Sequence, residues 1–137
     1  MKLFQIEEPD GSPLEAAGPG AVVGLALDAG SGAVAFAVGG NAEILPGADG
    51  AHLLVESELA PLLLGLRSRA EKQLARPVTH AVVALKPNLR AGLDAASEAA
   101  GITMLEVIDL AASLEQAALA AAVRAEDVAP PISSTPG

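Results

Sequence analysis

Three short apolar runs lie close together near the start of this chain, and the connections between them restrict its possible folds. The runs cover Ala21 to Leu27, Ala33 to Val38 and Ala42 to Leu45. Between them lie Asp28 to Gly32 and Gly39 to Asn41, whose glycines and Asn tolerate the positive φ of tight turns. Each run has the length of a strand and is too short for an ordinary helix. The pattern therefore predicts an antiparallel β-meander.

Helical and strand-like segments alternate after the meander. Leucines and alanines recur at helical spacing between Pro61, which suits a first turn, and Pro77, which ends the helix. The run 81–85 is a short buried-strand candidate, and 103–108 is predicted to be the last strand. This second half is therefore predicted to add crossover units to the meander.

Two further helices are predicted from their end signals. Asn88 can cap a helix that Gly101 ends, and Asp109 or Ser113 can cap an alanine-rich helix that runs to about Arg124. The predicted order is β-β-β-α-β-α-β-α. Joined by right-handed crossovers, these elements form an α/β fold with a mixed five-stranded sheet covered by helices, the ribonuclease-H-like arrangement.

The two ends of the chain have a different composition from its middle. Glycine, proline and carboxylates crowd residues 1–20, which are expected to form a flexible lead-in with a short strand at 2–6. Prolines and serines mark residues 126–137 as a flexible tail. The folded domain is therefore expected over 21–125.

Composition argues against several classes of function. The net charge is −9, the Lys and Arg residues are dispersed, and the only aromatic residues are two phenylalanines, so nucleic acid is not an expected partner. No apolar stretch approaches the roughly 20 residues of a membrane-spanning helix. The first residues lack the pattern of a secretory signal, so we expect a cytoplasmic protein.

Several segments together resemble one protein family. From Arg76, the sequence Arg-Pro-Val-Thr-His-Ala-Val-Val-Ala-Leu resembles the Glu-Pro-Val-Thr-Glu-Ala-Val-Ile-Thr-Val strand entry of the DnaK-type heat-shock chaperones. Leu93 to Gly101 and Leu105 to Ile108 are similar to an alanine-rich helix and a Gly-Leu-Glu-Val strand of that family, and Val23 to Gly30 resembles its first phosphate loop. The resemblance covers most of Ala21 to Val123 and implies the first lobe of an actin-like ATPase.

The same comparison implies that catalysis is lost. The family loop reads Gly-Ile-Asp-Leu-Gly-Thr-Thr-Asn-Ser, and a gapless alignment places Ala26 at its Asp and Asp28 at its loop Gly. A shift of two residues places Asp28 to Ser31 on Asp-Leu-Gly-Thr but shortens the loop. The catalytic Lys of the family lies in an inserted subdomain for which Gly50 to Leu53 leaves no room. Its nucleotide-enclosing second lobe has no counterpart here, so we expect no enzyme.

The best candidate for residual chemistry is a vestigial phosphate loop formed by Asp28, Gly30, Ser31 and Gly32. The alternative is that these residues simply form a turn. A nuclease site is the weaker alternative: the carboxylates of Asp28 and Asp109, with Glu58 or Glu43, would have to gather two metal ions. His52 and His80 lack a second ligand at metal-binding spacing, so no metal site is expected.

The resemblance and these losses together predict a non-catalytic DnaK-like lobe that acts as a protein-binding or scaffolding module. Its partner would be another protein or a second copy, bound through the face next to the absent second lobe, and no cofactor is expected. The alternatives are a module that responds weakly to nucleotide or phosphate, with Mg-ATP bound between it and a partner subunit, or a chaperone-related factor.

Overall fold

A computed structural model describes residues 20–129, which form one mixed β-sheet with helices on both faces. The strands are β1 (Ala21–Asp28), β2 (Ser31–Val38), β3 (Asn41–Ile44), β4 (Leu54–Val55), β5 (Val78–Leu85) and β6 (Thr103–Asp109). The helices are α1 (Leu59–Leu74), α2 (Arg90–Ala100) and α3 (Leu114–Val128), and a single 3₁₀ turn at Pro87–Leu89 leads into α2. The strand predicted at residues 2–6 lies outside the described residues.

The sheet has the strand order β3-β2-β1-β5-β6, with β4 paired to β2 at one end. Strand β2 runs antiparallel to its neighbours β1 and β3, whereas β5 and β6 run parallel to β1. The predicted meander and the mixed α/β sheet are therefore confirmed. The two-residue strand β4 was not predicted, because two residues carry no alternating pattern.

Helix ends follow the sequence signals in part. Ser113 Oγ accepts the N–H of Gln116 at 3.2 Å, so Ser113, one of the two predicted caps, starts α3. Gly101 ends α2 with a φ of 75°, as predicted. The predicted cap at Asn88 is wrong, because Asn88 lies inside the 3₁₀ turn and the residue before α2 is Leu89. Helix α3 continues to Val128, so residues 126–128 are helical.

The two faces of the sheet carry side chains of different size. On one face, Leu25, Leu27 and Val83 pack against Leu63 and Leu66 of α1, and α2 extends this aliphatic core. On the other face the sheet presents mainly alanine, and α3 covers it with its own buried alanines. The buried alanines of this cluster are Ala26, Ala33, Ala35, Ala37, Ala84, Ala117, Ala118 and Ala122.

Gly24 of β1 sets how closely α3 approaches the sheet. A Cβ atom at this position would lie 2.1 Å from the backbone nitrogen of Ala122 and 2.6 Å from the carbonyl oxygen of Ala118. The helix backbone therefore rests directly on the strand, which only a residue without a side chain permits. The inner side of the alanine-rich helix α3 therefore belongs to the core.

Candidate functional site at the carboxyl edge of the sheet

The parallel strands β1, β5 and β6 all end at one edge of the sheet, called here the carboxyl edge. Asp28 is the last residue of β1, Asp109 is the last residue of β6, and Lys86 directly follows β5. Ligands of open α/β sheets bind beyond the carboxyl ends of the strands. This edge is therefore where the predicted phosphate loop and the alternative metal site have to be judged.

Asp28 already has partners within the chain. Its Oδ1 atom accepts the N–H of Ala29 at 2.7 Å, and the ammonium nitrogen of Lys86 lies 3.9 Å from the same oxygen. The side chain of Asp28 is 35% exposed and that of Lys86 is 50% exposed. The carboxylate is accessible, but a cation of the chain itself partly neutralises it.

Asp109 forms a second ion pair at the same edge. A guanidinium nitrogen of Arg90, in the first turn of α2, donates to Asp109 Oδ1 at 3.4 Å. Both side chains are exposed, so the pair contributes little to stability. Its consequence is local charge balance, since each of the two carboxylates at the carboxyl edge is paired with one cation.

The connection between β1 and β2 is a two-residue hairpin turn. Asp28 pairs directly with Ser31 across the two strands, so only Ala29 and Gly30 lie in the turn, where Gly30 has a φ of 81°. The Ala29 N–H points to the carboxylate of Asp28, and the Gly30 carbonyl accepts the N–H of Glu56 at 3.1 Å. The turn uses these backbone groups to hold itself in place.

Gly32 belongs to the core of the molecule. It is buried within β2, and a Cβ atom there would lie 3.0 Å from a methyl carbon of Leu66 and 3.0 Å from the carbonyl oxygen of Ala26. Of the four residues predicted to form a phosphate loop, Asp28, Gly30 and Ser31 lie together at the carboxyl edge. Gly32 instead serves packing against α1.

The carboxylates of the nuclease alternative do not form a metal site. Residues 20–129 contain no group of three or more His, Cys, Asp or Glu side chains placed to hold a metal ion. Glu43 lies on β3 opposite Phe36, and Glu58 precedes α1. The alternative that joined these residues with Asp28 and Asp109 therefore has no geometric support.

The two histidines make local contacts. His52 Nδ1 lies 2.6 Å from Glu115 Oε2, which links the loop after β3 to the first turn of α3. His80 Nδ1 lies 2.7 Å from Thr79 Oγ1. These contacts fit a structural role for both histidines.

A charged pair on the α3 face shifts the pKa of its carboxyl group. Two guanidinium nitrogens of Arg124 donate to Glu106 at 2.8 and 2.6 Å. These hydrogen bonds, opposed by partial desolvation and helped by charge attraction, hold the pKa of Glu106 below its ordinary value. The pair joins α3 to β6 and lies apart from the carboxyl edge.

Exposed apolar side chains border the carboxyl edge. Val55 pairs with Ser31 through β4 and is 78% exposed, and Leu53 just before it is 38% exposed. Ile108, next to Asp109 at the end of β6, is 39% exposed. The edge therefore combines balanced charges with accessible aliphatic groups.

Comparison with protein-family models and with curated proteins finds no match for this chain. The resemblance to the DnaK family thus stays a prediction based on the segments quoted above. Within the described part of the chain, every helix is too short or too polar to cross a membrane.

Sequence reasoning missed the cations that pair with the carboxylates. Lys86 follows the predicted strand directly and Arg90 comes four residues later. Their positions after a parallel strand were a usable signal, since such residues project at the same edge as the ends of β1 and β6.

Proposed function

We propose that this chain is a non-catalytic protein-binding module with a ribonuclease-H-like fold, related to the first lobe of the DnaK-type, actin-like ATPases. The strand order β3-β2-β1-β5-β6, with β2 antiparallel to the other strands beside it, supports this fold. The motifs around Arg76 to Leu85 and Val23 to Gly30 support the relationship.

One observation carries the non-catalytic part of the proposal. Asp28 and Asp109, the carboxylates at the strand ends, each face a cation of the chain itself. A magnesium ion needs carboxylate oxygens that converge on one point, and nucleotide phosphates need outward N–H donors. At the carboxyl edge the two carboxylates instead contact different cations, and the Ala29 N–H points to Asp28.

The apolar side chains at this edge support a protein partner. Val55 and Leu53 beside β2 and Ile108 on β6 expose apolar surface at this edge, and exposed apolar surface is typical of binding sites. We take the carboxyl edge to be the face that lies next to the second lobe in the family that the sequence resembles. A partner protein or a second copy of this chain would occupy that place.

The test compares two exposed aliphatic positions. A photo-crosslinking residue at Val55 is expected to give discrete adducts with the partner protein or with a second copy of the chain. The same residue at Leu64, which is 53% exposed on α1, should give few adducts. Sedimentation of the purified chain over a wide concentration range then distinguishes a second copy from another protein. Equal labelling from both positions, or none from either, would contradict the proposal.

A weaker, phosphate-responsive module is the second candidate. The contact between Lys86 and Asp28 is long at 3.9 Å and half exposed, so the ammonium group is free to turn toward a phosphate. A partner subunit would then complete the cleft. This function predicts a magnesium-dependent response that is lost in Asp28→Ala.

A further inference from the structure

A groove lies at the amino edge of the sheet, opposite the carboxyl edge. Its volume is about 530 Å³, and Val22, Phe36 and Val38 form apolar parts of its lining. Val38 is 66% exposed, although it sits in a strand whose other residues are mostly buried. The groove therefore offers aliphatic and aromatic surface that an occupant would remove from water.

A cationic group borders this apolar surface. The Arg76 guanidinium lies 6.0 Å from the centre of the Phe36 ring, and Arg76 forms no ion pair with any residue in 20–129. His80 also lines the groove. The one carboxylate there, that of Glu126, accepts the N–H groups of Gly39 and Gly40 at 2.6 and 2.8 Å. The groove thus suits a peptide whose apolar side chains are followed by carboxylates.

The chain itself contains such a sequence upstream of Gly20. Gly20, where the described residues begin, lines the groove, and the preceding residues include Leu3-Phe4-Gln5-Ile6-Glu7-Glu8. Residues 9–19 are the connection, and eleven extended residues span up to about 36–40 Å. A tether of this length gives an effective concentration on the order of millimolar, so even weak contacts suffice for occupancy.

We propose that residues 3–8 of this chain dock into the groove at the amino edge, with Leu3, Phe4 and Ile6 on its apolar lining and Glu7 and Glu8 near Arg76. The apolar match, the charge match and the position of Gly20 on the groove each support the same occupant. The inference is independent of the proposed function, which concerns the opposite edge.

Paramagnetic relaxation in the full-length chain tests the docking. The chain has no cysteine, so Gln5→Cys accepts a single spin label. Docking predicts loss of the methyl signals of Val22 and Val38, while the exposed methyls of Val55 at the opposite edge keep their intensity. Uniform signal loss, or no loss at all, would overturn the proposal.

A charge swap tests whether the acidic residues direct the docking. Arg76→Glu, at an exposed position, is expected to restore the Val38 signal, and adding Glu7→Lys and Glu8→Lys should abolish it again. Persistent broadening in Arg76→Glu counts against the role of charge. Broadening in a mixture of spin-labelled and isotope-labelled chains would show that a second copy, rather than the same chain, fills the groove.

Discussion

The two faces of the sheet are packed in different ways. Towards α1 and α2, leucines and valines from both layers interdigitate, so helices and sheet are separated by full side chains. Towards α3, alanine meets alanine, and Gly24 brings the helix backbone onto β1. One face therefore depends on filled volume and the other on close approach. Shortened side chains should destabilise the aliphatic face most, and enlarged side chains the alanine face.

The largest effect is expected for Gly24→Val. The added carbons would meet the backbone of Ala118 and Ala122, which cannot turn aside as a side chain does. We expect a loss of more than about 4–5 kcal/mol, enough to prevent folding of a domain of ordinary stability. Thermal unfolding followed by circular dichroism measures this loss. Gly92→Ala is the control, because nothing lies near a Cβ at that exposed helical position, and wild-type stability or better is expected.

The aliphatic face should respond to loss of volume. Leu66 of α1 is fully buried, so Leu66→Ala leaves a cavity and should cost about 2–5 kcal/mol. Chemical denaturation gives the change in free energy of unfolding. Leu64→Ala on the same helix removes the same atoms from an exposed site and should change stability by less than about 0.5 kcal/mol. Similar losses in both variants would contradict the assigned packing.

The alanine face should instead respond to added volume. Ala121 of α3 is fully buried against the sheet, so Ala121→Leu forces α3 outward and should cost about 1–3 kcal/mol. The matched control is Ala120→Leu, one residue earlier and exposed. If Ala121→Leu unfolds at the same denaturant concentration as Ala120→Leu, the close approach of α3 is not required.

The smallest effect is expected at the ion pair that joins α3 to β6. The folded-state pKa of Glu106 is lowered, so its contribution is complete above the ordinary value of 4.5 and is lost as the pH falls through the lowered pKa. Arg124→Gln should therefore unfold at a lower temperature than the wild type at neutral pH, and the difference should shrink in acid. In a Glu106→Gln background the substitution should have no pH-dependent effect.

Sequence patterns predicted the order of the main elements but not their contacts. Three apolar runs and their glycine connections were sufficient for the meander, because a strand and its hairpin turn are local features. Gly24 looked like part of a phosphate loop, and only the packing of α3 on β1 shows its steric role. Strand β4 depends on pairing with β2, a contact that no local pattern encodes.

The sequence predicted where the candidate site lies better than it predicted the chemistry of the site. The sequence placed Asp28 and Asp109 at strand ends, and both lie at the carboxyl edge. It did not pair them with Lys86 and Arg90, because ion pairs between separate elements follow from the order of strands in the sheet. That pairing is the observation on which the proposed non-catalytic role rests.

Titration calorimetry with Mg-ATP tests the central claim most directly, namely that the carboxyl edge no longer works as a nucleotide site. The claim predicts no saturable heat in the full-length chain up to about millimolar ligand, a range in which binding is worth only about 4 kcal/mol. A saturable signal that disappears in Asp28→Ala would contradict the claim. It would show that Asp28 can leave Lys86 to organise a magnesium-bound phosphate.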